Sequence, residues 1–212
     1  MIYSLYYWPG IQGRGEFIRL ALEDAGAAYV NRSPGKNPGV FAPPYLKAGR
    51  LVIAQTANIL FYLGPRLGLA PKSEARRLWL HQQQLTVMDW LDEVHAVHHP
   101  IAGSLYYEEQ KREAKRRAED FRSHRLPKFL RYFESSAGAP FSYVDLSLFQ
   151  MVEGLRYAFP ATMKKLESKF RKLVAIHDRA AKRPGISRYL SSGRRIAFNQ
   201  HGIFRHYPEL DR

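Results

Sequence analysis

The hydrophobic pattern in the first third of the chain consists of short apolar runs and one longer helical stretch. The aromatic-rich run at residues 2–8 predicts a strand that ends in a loop at Pro9-Gly10. Apolar residues then recur at helical spacing until Gly26, and a glycine suits the C-terminal end of a helix. Residues 27–30 form a short apolar run that predicts a second strand.

A hairpin and a second helix follow. The chain enters a strand through Pro43-Pro44, turns at Ala48-Gly49 and returns as a strand over residues 51–53. Gly49 suits the turn because glycine tolerates positive φ. Apolar residues at helical spacing predict a helix that starts at Gln55-Thr56. Strand, helix, strand, hairpin and helix is the order of a thioredoxin-like α/β domain, in which the first helix lets the first two strands pair in parallel.

Only helical patterns follow this region. Residues 65–72 are punctuated by proline and glycine and predict a linker. Beyond them apolar positions recur with the helical period. Ser142 and Asp145 precede an apolar run at the spacing of a helix-capping box. We therefore predict a thioredoxin-like domain over residues 1–64 and an all-α C-terminal domain over residues 73–212.

Composition narrows the chemistry that is available to the protein. The sequence of 212 residues contains no cysteine, which excludes disulfides, thiolate metal sites and a cysteine nucleophile. Any thiol chemistry must therefore use a thiol that a substrate supplies. No run of 18 or more apolar residues occurs, and residues 1–5 do not resemble a signal peptide. We expect a cytoplasmic protein without a membrane partner.

The formal net charge of +14 first suggests an anionic partner such as nucleic acid. However, the basic residues are dispersed through predicted helices and form no stripe with interleaved aromatic residues. This distribution is typical of solvated helix faces and disfavours nucleic acid. A basic scaffold that binds RNA or a protein complex is one alternative, and it would show steeply salt-dependent binding.

Two groups of residues are candidates for a site. Gln55-Thr56 stands where a helix begins, and the free N–H groups and positive dipole end there can hold a carboxylate. His95, His98 and His99 share one face of a helix and have a spacing that metal ligands can adopt. They lack an accompanying acidic ligand set and a zinc-protease motif, so we predict no metal site. We expect these histidines to line the cleft between the domains or to pack at its floor.

The hairpin region resembles the glutathione-binding core of the cytosolic glutathione S-transferases. That core contains Pro-x-Leu, a short turn and Gln-Ser/Thr-x-x-Ile, which match Pro44-Tyr45-Leu46 and Gln55-Thr56-Ala57-Asn58-Ile59. Tyr7-Trp8-Pro9 and Gly13-Arg14 resemble the start of the tyrosine-type classes (sigma, pi and alpha). The resemblance covers almost the whole chain and implies the two-domain fold, a cis peptide bond before Pro44 and a homodimer.

The resemblance also implies a mechanism with glutathione as co-substrate and no metal. Tyr7 would be the catalytic hydroxyl, donating to the glutathione sulfur and so stabilising its thiolate. Tyr6 is the rival phenol, but it is one residue away on a strand and should face the other side. The glutathione-binding residues would be Arg14, Pro43, Pro44, Gln55 and Thr56.

The thiolate would attack a small electrophilic, mostly apolar substrate, as in detoxification, with peroxidase or isomerase side activity. The candidates for lining the pocket of this acceptor substrate are Trp8, His95, His98, His99, Tyr106 and Tyr107.

Two departures from the family pattern favour an alternative. Pro43 has no N–H, so half of the expected backbone pairing with the cysteinyl unit of glutathione is absent. The segment 31–42 is short and rich in proline and glycine, which argues against the helix that the family usually has there. The alternative is a non-catalytic ligand-binding or scaffold protein of the same fold.

Overall fold

The computed structural model describes residues 1–35, 39–136 and 140–212. Four strands form the first part: β1 (Tyr3–Tyr6), β2 (Tyr29–Arg32), β3 (Tyr45–Ala48) and β4 (Leu51–Ala54). They make one sheet in the order β2-β1-β3-β4, in which β1 is parallel to β2 and antiparallel to β3. Gly49 has a φ of 62° in the turn between β3 and β4, as the sequence predicts.

Two helices pack on the sheet, namely α1 (Gly15–Asp24) and α2 (Thr56–Arg66). Ile18 of α1 and Ile59 of α2 are fully buried in one cluster with Leu5 and Leu46 of the sheet. Helix α1 is the crossover that makes the β1–β2 pair parallel. The order and pairing of these elements confirm the thioredoxin-like arrangement.

Helix α2 continues through Pro65, two residues into the predicted linker segment. The rest of that segment is packed rather than free. Leu69 is buried, and its carbonyl accepts a hydrogen bond from Tyr143 N–H at 3.0 Å. Residues 33–35 and 39–42 contain no helix, which agrees with the proline- and glycine-rich sequence. Residues 36–38 of that segment and 137–139 of the loop before Ser142 lie outside the described residues.

The described part of the chain beyond residue 72 has helices and no strand. The α-helices are α3 (Glu74–His98), α4 (Lys111–Asp120), α5 (Leu126–Ser136), α6 (Tyr143–Ala158), α7 (Pro160–Leu166), α8 (Arg171–Ala181) and α9 (Pro184–Ser191). Helix α6 is the centre of this domain, and the predicted capping box of Ser142 and Asp145 is present at its start. Among the described helices, none combines the length and the apolar character that crossing a membrane requires.

Arginines near the end of the C-terminal domain bind carboxylates of α1. Each of these carboxylates is buried or nearly so, and the arginines are partly exposed. The pairs are Arg183 with Asp24 at 2.6 Å, Arg194 with Glu23 at 2.6 Å and Arg195 with Glu16 at 3.2 Å. The two domains therefore share one charged and partly buried interface.

The C-terminal tail folds back along the chain. Asn199 donates to the Gly10 carbonyl at 2.9 Å, which places the tail beside the loop after β1. Further on, the Asp211 carboxylate accepts hydrogen bonds from the backbone N–H groups of Ala161 and Thr162 and so caps α7. The tail is therefore held at both of its ends.

Candidate active site

Tyr7 follows β1 and its side chain is 6% exposed. The backbone N–H of Arg14 donates to the Tyr7 hydroxyl at 2.9 Å. Glycines flank this contact, since a Cβ at Gly13 or Gly15 would lie 2.2 Å or 2.7 Å from atoms of the Tyr7 side chain. The loop can therefore close over the phenol only because these positions lack side chains.

The hydrogen bonding of Tyr7 determines what its hydroxyl can still do. Burial raises the pKa of the phenol, an effect that the Arg14 N–H and the charges of Arg14 and Arg19 partly oppose. The phenol is therefore protonated at neutral pH. Because Arg14 N–H occupies one acceptor position, the O–H proton is the group that the phenol can offer to a ligand.

Tyr6, the rival phenol, has a different environment. Its ring stacks on that of Tyr45 with 4.4 Å between centroids, and the Lys47 ammonium lies 5.2 Å from the ring centre. Tyr6 is part of this stack on the sheet, whereas Tyr7 lies under the loop that leads into α1. The expectation that the two side chains face opposite ways agrees with these contacts.

The start of α2 lies next to the same loop. Thr56 Oγ1 donates to the Arg14 carbonyl at 3.4 Å, so Arg14 contacts both the phenol and the helix terminus. Gln55 precedes the helix with a φ of 70°, and its side chain makes no capping hydrogen bond. The first N–H groups of α2 therefore lack a side-chain cap from this residue and can take an anion. The peptide bond between Pro43 and Pro44 is cis, as the resemblance implies.

The side chain of Arg14 forms an ion pair with Asp92 of α3. The guanidinium is therefore bound by the C-terminal domain, while the backbone of the same residue organises the loop at Tyr7. Asp92 was not identified from the sequence. Its place three residues before His95, on the same helix face, is the signal that could have found it.

The histidines of α3 lie together at the C-terminal end of that helix. A possible ligand nitrogen of each of His95, His98 and His99 lies within 4.8 Å of the others. Burial lowers the pKa of His98 to about 3, reinforced by the charge of Arg205, and that of His95 to about 4, reinforced by His99 and by the charges of Arg14 and Arg205. Burial also lowers the pKa of His99. All three imidazoles are therefore neutral at pH 7.

The aromatic candidates are dispersed. Trp8 is 53% exposed and Tyr106 is 78% exposed, so both side chains face solvent. Tyr107 is buried, stacks on Tyr207 of the tail at 3.7 Å and donates to Glu209 at 2.9 Å. The structure thus brings Tyr7, Arg14 and Thr56 together, and it places the ring of Tyr107 against the tail.

The fold now defines the class of the protein. A thioredoxin-like sheet with its cis-proline hairpin, joined through α1 to an all-helical domain, is a glutathione-transferase fold. Residues 95–193 match the family model described as the C-terminal domain of glutathione S-transferase. This match lies in the helical domain and is independent of the motifs around Tyr7 and Gln55.

The comparisons with whole proteins extend over both domains. The glutathione S-transferase of Plasmodium falciparum is 22% identical, over 89% of this chain and 94% of that protein. The pi-class glutathione S-transferase of Onchocerca volvulus has a TM-score of 0.71 at 22% identity, covering 91% of this chain and 93% of that one. The structure of NaGST-2 has a TM-score of 0.67 at 20% identity, covering 92% and 98%. The chain therefore has a glutathione-transferase fold over both domains, and its helical domain matches the glutathione S-transferase family.

Proposed function

We propose that this protein is a tyrosine-type glutathione transferase, in which the hydroxyl of Tyr7 stabilises the glutathione thiolate for attack on an electrophilic, mostly apolar substrate. The observation that carries the proposal is the Tyr7 hydroxyl itself. It is protonated by virtue of burial, its acceptor side is occupied by Arg14 N–H at 2.9 Å, and its proton is free to be donated. A donor of this kind favours a thiolate over a thiol and so lowers the pKa of the sulfur.

Glutathione binds, in this proposal, between the Tyr7 loop and the hairpin. The γ-glutamyl carboxylate takes the uncapped N–H groups at Gln55 and Thr56, where the helix dipole favours negative charge. Pro44 shapes the turn beside the cysteinyl unit. Pro43 offers its carbonyl alone as an acceptor, so the backbone pairing with glutathione is one hydrogen bond weaker than an N–H-bearing residue would allow.

Arg14 is a positioning residue in this mechanism. Its backbone holds the Tyr7 hydroxyl and its guanidinium is engaged with Asp92, so the charge of Arg14 fixes the loop against α3. The acceptor substrate binds on the C-terminal-domain side of the loop, close to Trp8, where an exposed indole supplies apolar surface. Turnover of reactive electrophiles in the cytoplasm, as in detoxification, is the role that this chemistry serves.

The protein acts as a homodimer in this proposal. Leu78 and Leu85 are 56% and 49% exposed and lie on one stripe of α3 with His81. His81 contacts Phe61 of α2 at 4.7 Å between ring centroids, which joins this stripe to the N-terminal domain. Exposed apolar side chains that continue across two domains favour a second copy as their cover. Sedimentation equilibrium of wild type and Leu85→Glu tests this, and a wild type that is monomeric at micromolar concentration contradicts it.

The proposed activity is tested by calorimetric titration with glutathione and by the rate of its conjugation to an activated aryl chloride. In this proposal the Gln55 side-chain amide is a further donor to the same carboxylate, so Gln55→Ala should weaken glutathione binding by about tenfold, the worth of one charge-assisted hydrogen bond. Glu119→Ala, on the exposed side of α4 and outside the α3 stripe, is the control and should leave binding unchanged. Binding without turnover in wild type would support the ligand-binding alternative. Absence of glutathione binding refutes the proposal.

A further inference from the structure

The proposed glutathione chemistry does not use the histidine cluster at the end of α3, so the cluster calls for a separate explanation. His95 and His98 lie on one face of the last turn of α3 at the spacing i, i+3, and His99 follows as the residue that ends the helix. Their ring centroids are 4.8–5.1 Å apart, and a ligand nitrogen of each lies within 4.8 Å of the others. Three neutral imidazoles thus bring one possible ligand nitrogen each into the same small region.

The tautomer of His98 is fixed by its surroundings. Its Nε2 lies 2.7 Å from the carbonyl oxygen of Ile203, and since a carbonyl only accepts, Nε2 carries the proton. Its Nδ1 therefore has a lone pair. The His98 side chain is almost entirely buried, the residue being 2% exposed, and Nδ1 has no hydrogen-bond partner in the described structure. A buried acceptor without a partner is destabilising unless something else binds it.

His99 is arranged in the same way. Its Nδ1 lies 3.1 Å from the Leu105 carbonyl and donates to it, which leaves the lone pair on Nε2. The Gln110 amide nitrogen also approaches Nδ1 at 3.2 Å, but that amide donates to the carbonyls of Leu105 and Ala102. A histidine whose second nitrogen donates to a backbone carbonyl is the usual outer-shell arrangement of a metal ligand, because the carbonyl orients the ring and increases its basicity.

We propose that His95, His98 and His99 form a binding site for a divalent first-row transition metal of the zinc type, with Nδ1 of His98 and Nε2 of His99 as two of the ligand atoms. Imidazole is a preferred ligand of Zn²⁺, Cu²⁺ and Ni²⁺ and a poor one for Mg²⁺ and Ca²⁺. Three histidines leave further coordination positions open to water or a small ligand. The proposal uses residues outside the Tyr7 loop and holds whether or not glutathione binds.

The position on the helix favours a cation. Helix α3 ends at His98, so the cluster lies at the negative end of the helix dipole. The carboxylate of Asp92 one turn earlier adds negative charge, whereas Arg14 and Arg205 add positive charge. The three ligands are neutral and two arginines lie nearby. Such a site favours metals that form strong bonds to nitrogen, such as Zn²⁺, over Mg²⁺ or Ca²⁺, which are held mainly by charge.

Binding requires a contraction of the cluster. Two nitrogens bound to one tetrahedral Zn²⁺ at about 2.0–2.1 Å are about 3.4 Å apart, so a pair at the 4.8 Å limit of this group must approach by about 1.4 Å. His98 and His99 are held by backbone carbonyls, whereas His95 is only half-buried. Rotation of the His95 ring is therefore the movement that closes the site.

The test is calorimetric titration of tag-free, EDTA-treated and desalted protein with ZnCl₂ in the absence of glutathione. Wild type should bind one Zn²⁺ per chain. His98→Gln and His95→Gln should each weaken binding by at least about tenfold, since changes to outer-shell partners alone cost about 10- to 100-fold. His124→Gln is the matched control, because His124 is exposed and lies outside the cluster. MgCl₂ should give no saturable binding.

The buried position of His98 makes a second variant necessary. If His98→Gln fails to fold by circular dichroism, His95→Gln decides, because its half-exposed ring can be replaced with little effect on packing. The proposal is overturned if wild type shows no saturable Zn²⁺ binding. It is equally overturned if the folded His95→Gln protein binds Zn²⁺ with the affinity and stoichiometry of wild type and of His124→Gln.

Discussion

Replacement of Tyr7 by phenylalanine removes the one atom on which the proposed chemistry depends. The ring stays between Gly13 and Gly15, because phenylalanine has the same shape without the hydroxyl. A hydrogen bond from a phenol to a sulfur anion is charge-assisted and is worth about 1.5–3 kcal/mol. Since one pKa unit corresponds to about 1.4 kcal/mol, the pKa of bound glutathione should rise by about one to two units in the variant.

The same substitution leaves Arg14 N–H without its acceptor. An unsatisfied N–H of this kind lowers the free energy of unfolding by about 1–3 kcal/mol, which urea denaturation measures. The rate of conjugation at pH 7 should fall by about 10- to 100-fold, because the thiolate fraction falls with each unit of pKa. Loss of stability and loss of thiolate are therefore measured separately on one variant.

The assay is ultraviolet difference absorbance of protein-bound glutathione as a function of pH, which follows formation of the thiolate. Wild type should ionise the bound thiol well below the ordinary thiol value of about 8.5. Tyr6→Phe is the matched control, since Tyr6 is stacked on Tyr45 away from the loop and should leave the titration unchanged. The reasoning is refuted if Tyr7→Phe binds glutathione and titrates like wild type, or if Tyr6→Phe shows the shift instead.

Three further predictions concern other parts of the molecule. Gly15→Ala places a Cβ 2.7 Å from the Tyr7 ring, so urea denaturation should show a loss of about 1–3 kcal/mol, and wild-type stability would contradict the close packing. Asp145→Ala removes the carboxylate that accepts hydrogen bonds from the N–H and the hydroxyl of Ser142. The free energy of unfolding should fall by about 1–3 kcal/mol, and a change below about 0.5 kcal/mol would refute a capping role. Burial holds the pKa of His98 at about 3 in the folded protein, whereas the unfolded chain has the ordinary value of about 6.5. Between about pH 3 and pH 6.5 the unfolded state therefore binds more protons than the folded state. In EDTA, stability should therefore fall as the pH drops from about 6.5 towards 3, and the slope should be shallower in His98→Gln; equal slopes would contradict this assignment.

The sequence predicts those parts of the fold that depend on neighbouring residues. Gly49 at a hairpin turn, Gly26 after α1 and the Ser142 cap of α6 are each local signals, and the structure has all three. Helix α2 starts at Thr56 for a similar reason, since its apolar positions repeat with the helical period. The start of this helix could thus be anticipated from its own segment, while the ligand proposed for it stays a prediction.

Contacts between distant segments could not be predicted in this way. The ion pair of Arg14 with Asp92 joins residues that are 78 positions apart in the sequence. The hydrogen bond of His98 to the Ile203 carbonyl joins residues that are 105 positions apart. Neither contact has a local pattern that requires it. The spacing of the three histidines was visible, but the orientation of their nitrogens depends on carbonyls supplied by the folded chain. The expectation of no metal site rests on the sequence pattern alone, whereas the proposal of such a site rests on these nitrogen orientations.

The ion pairs between α1 and the end of the C-terminal domain have a consequence for folding during synthesis. Asp24 and Arg183 are separated by 159 residues, so at about 5–20 residues per second roughly 8 to 30 s pass between their translation. Throughout that interval the carboxylate of Asp24 must stay hydrated, because its partner Arg183 does not yet exist. The first domain to leave the ribosome is therefore expected to wait, incompletely packed, until nearly the whole chain has been made.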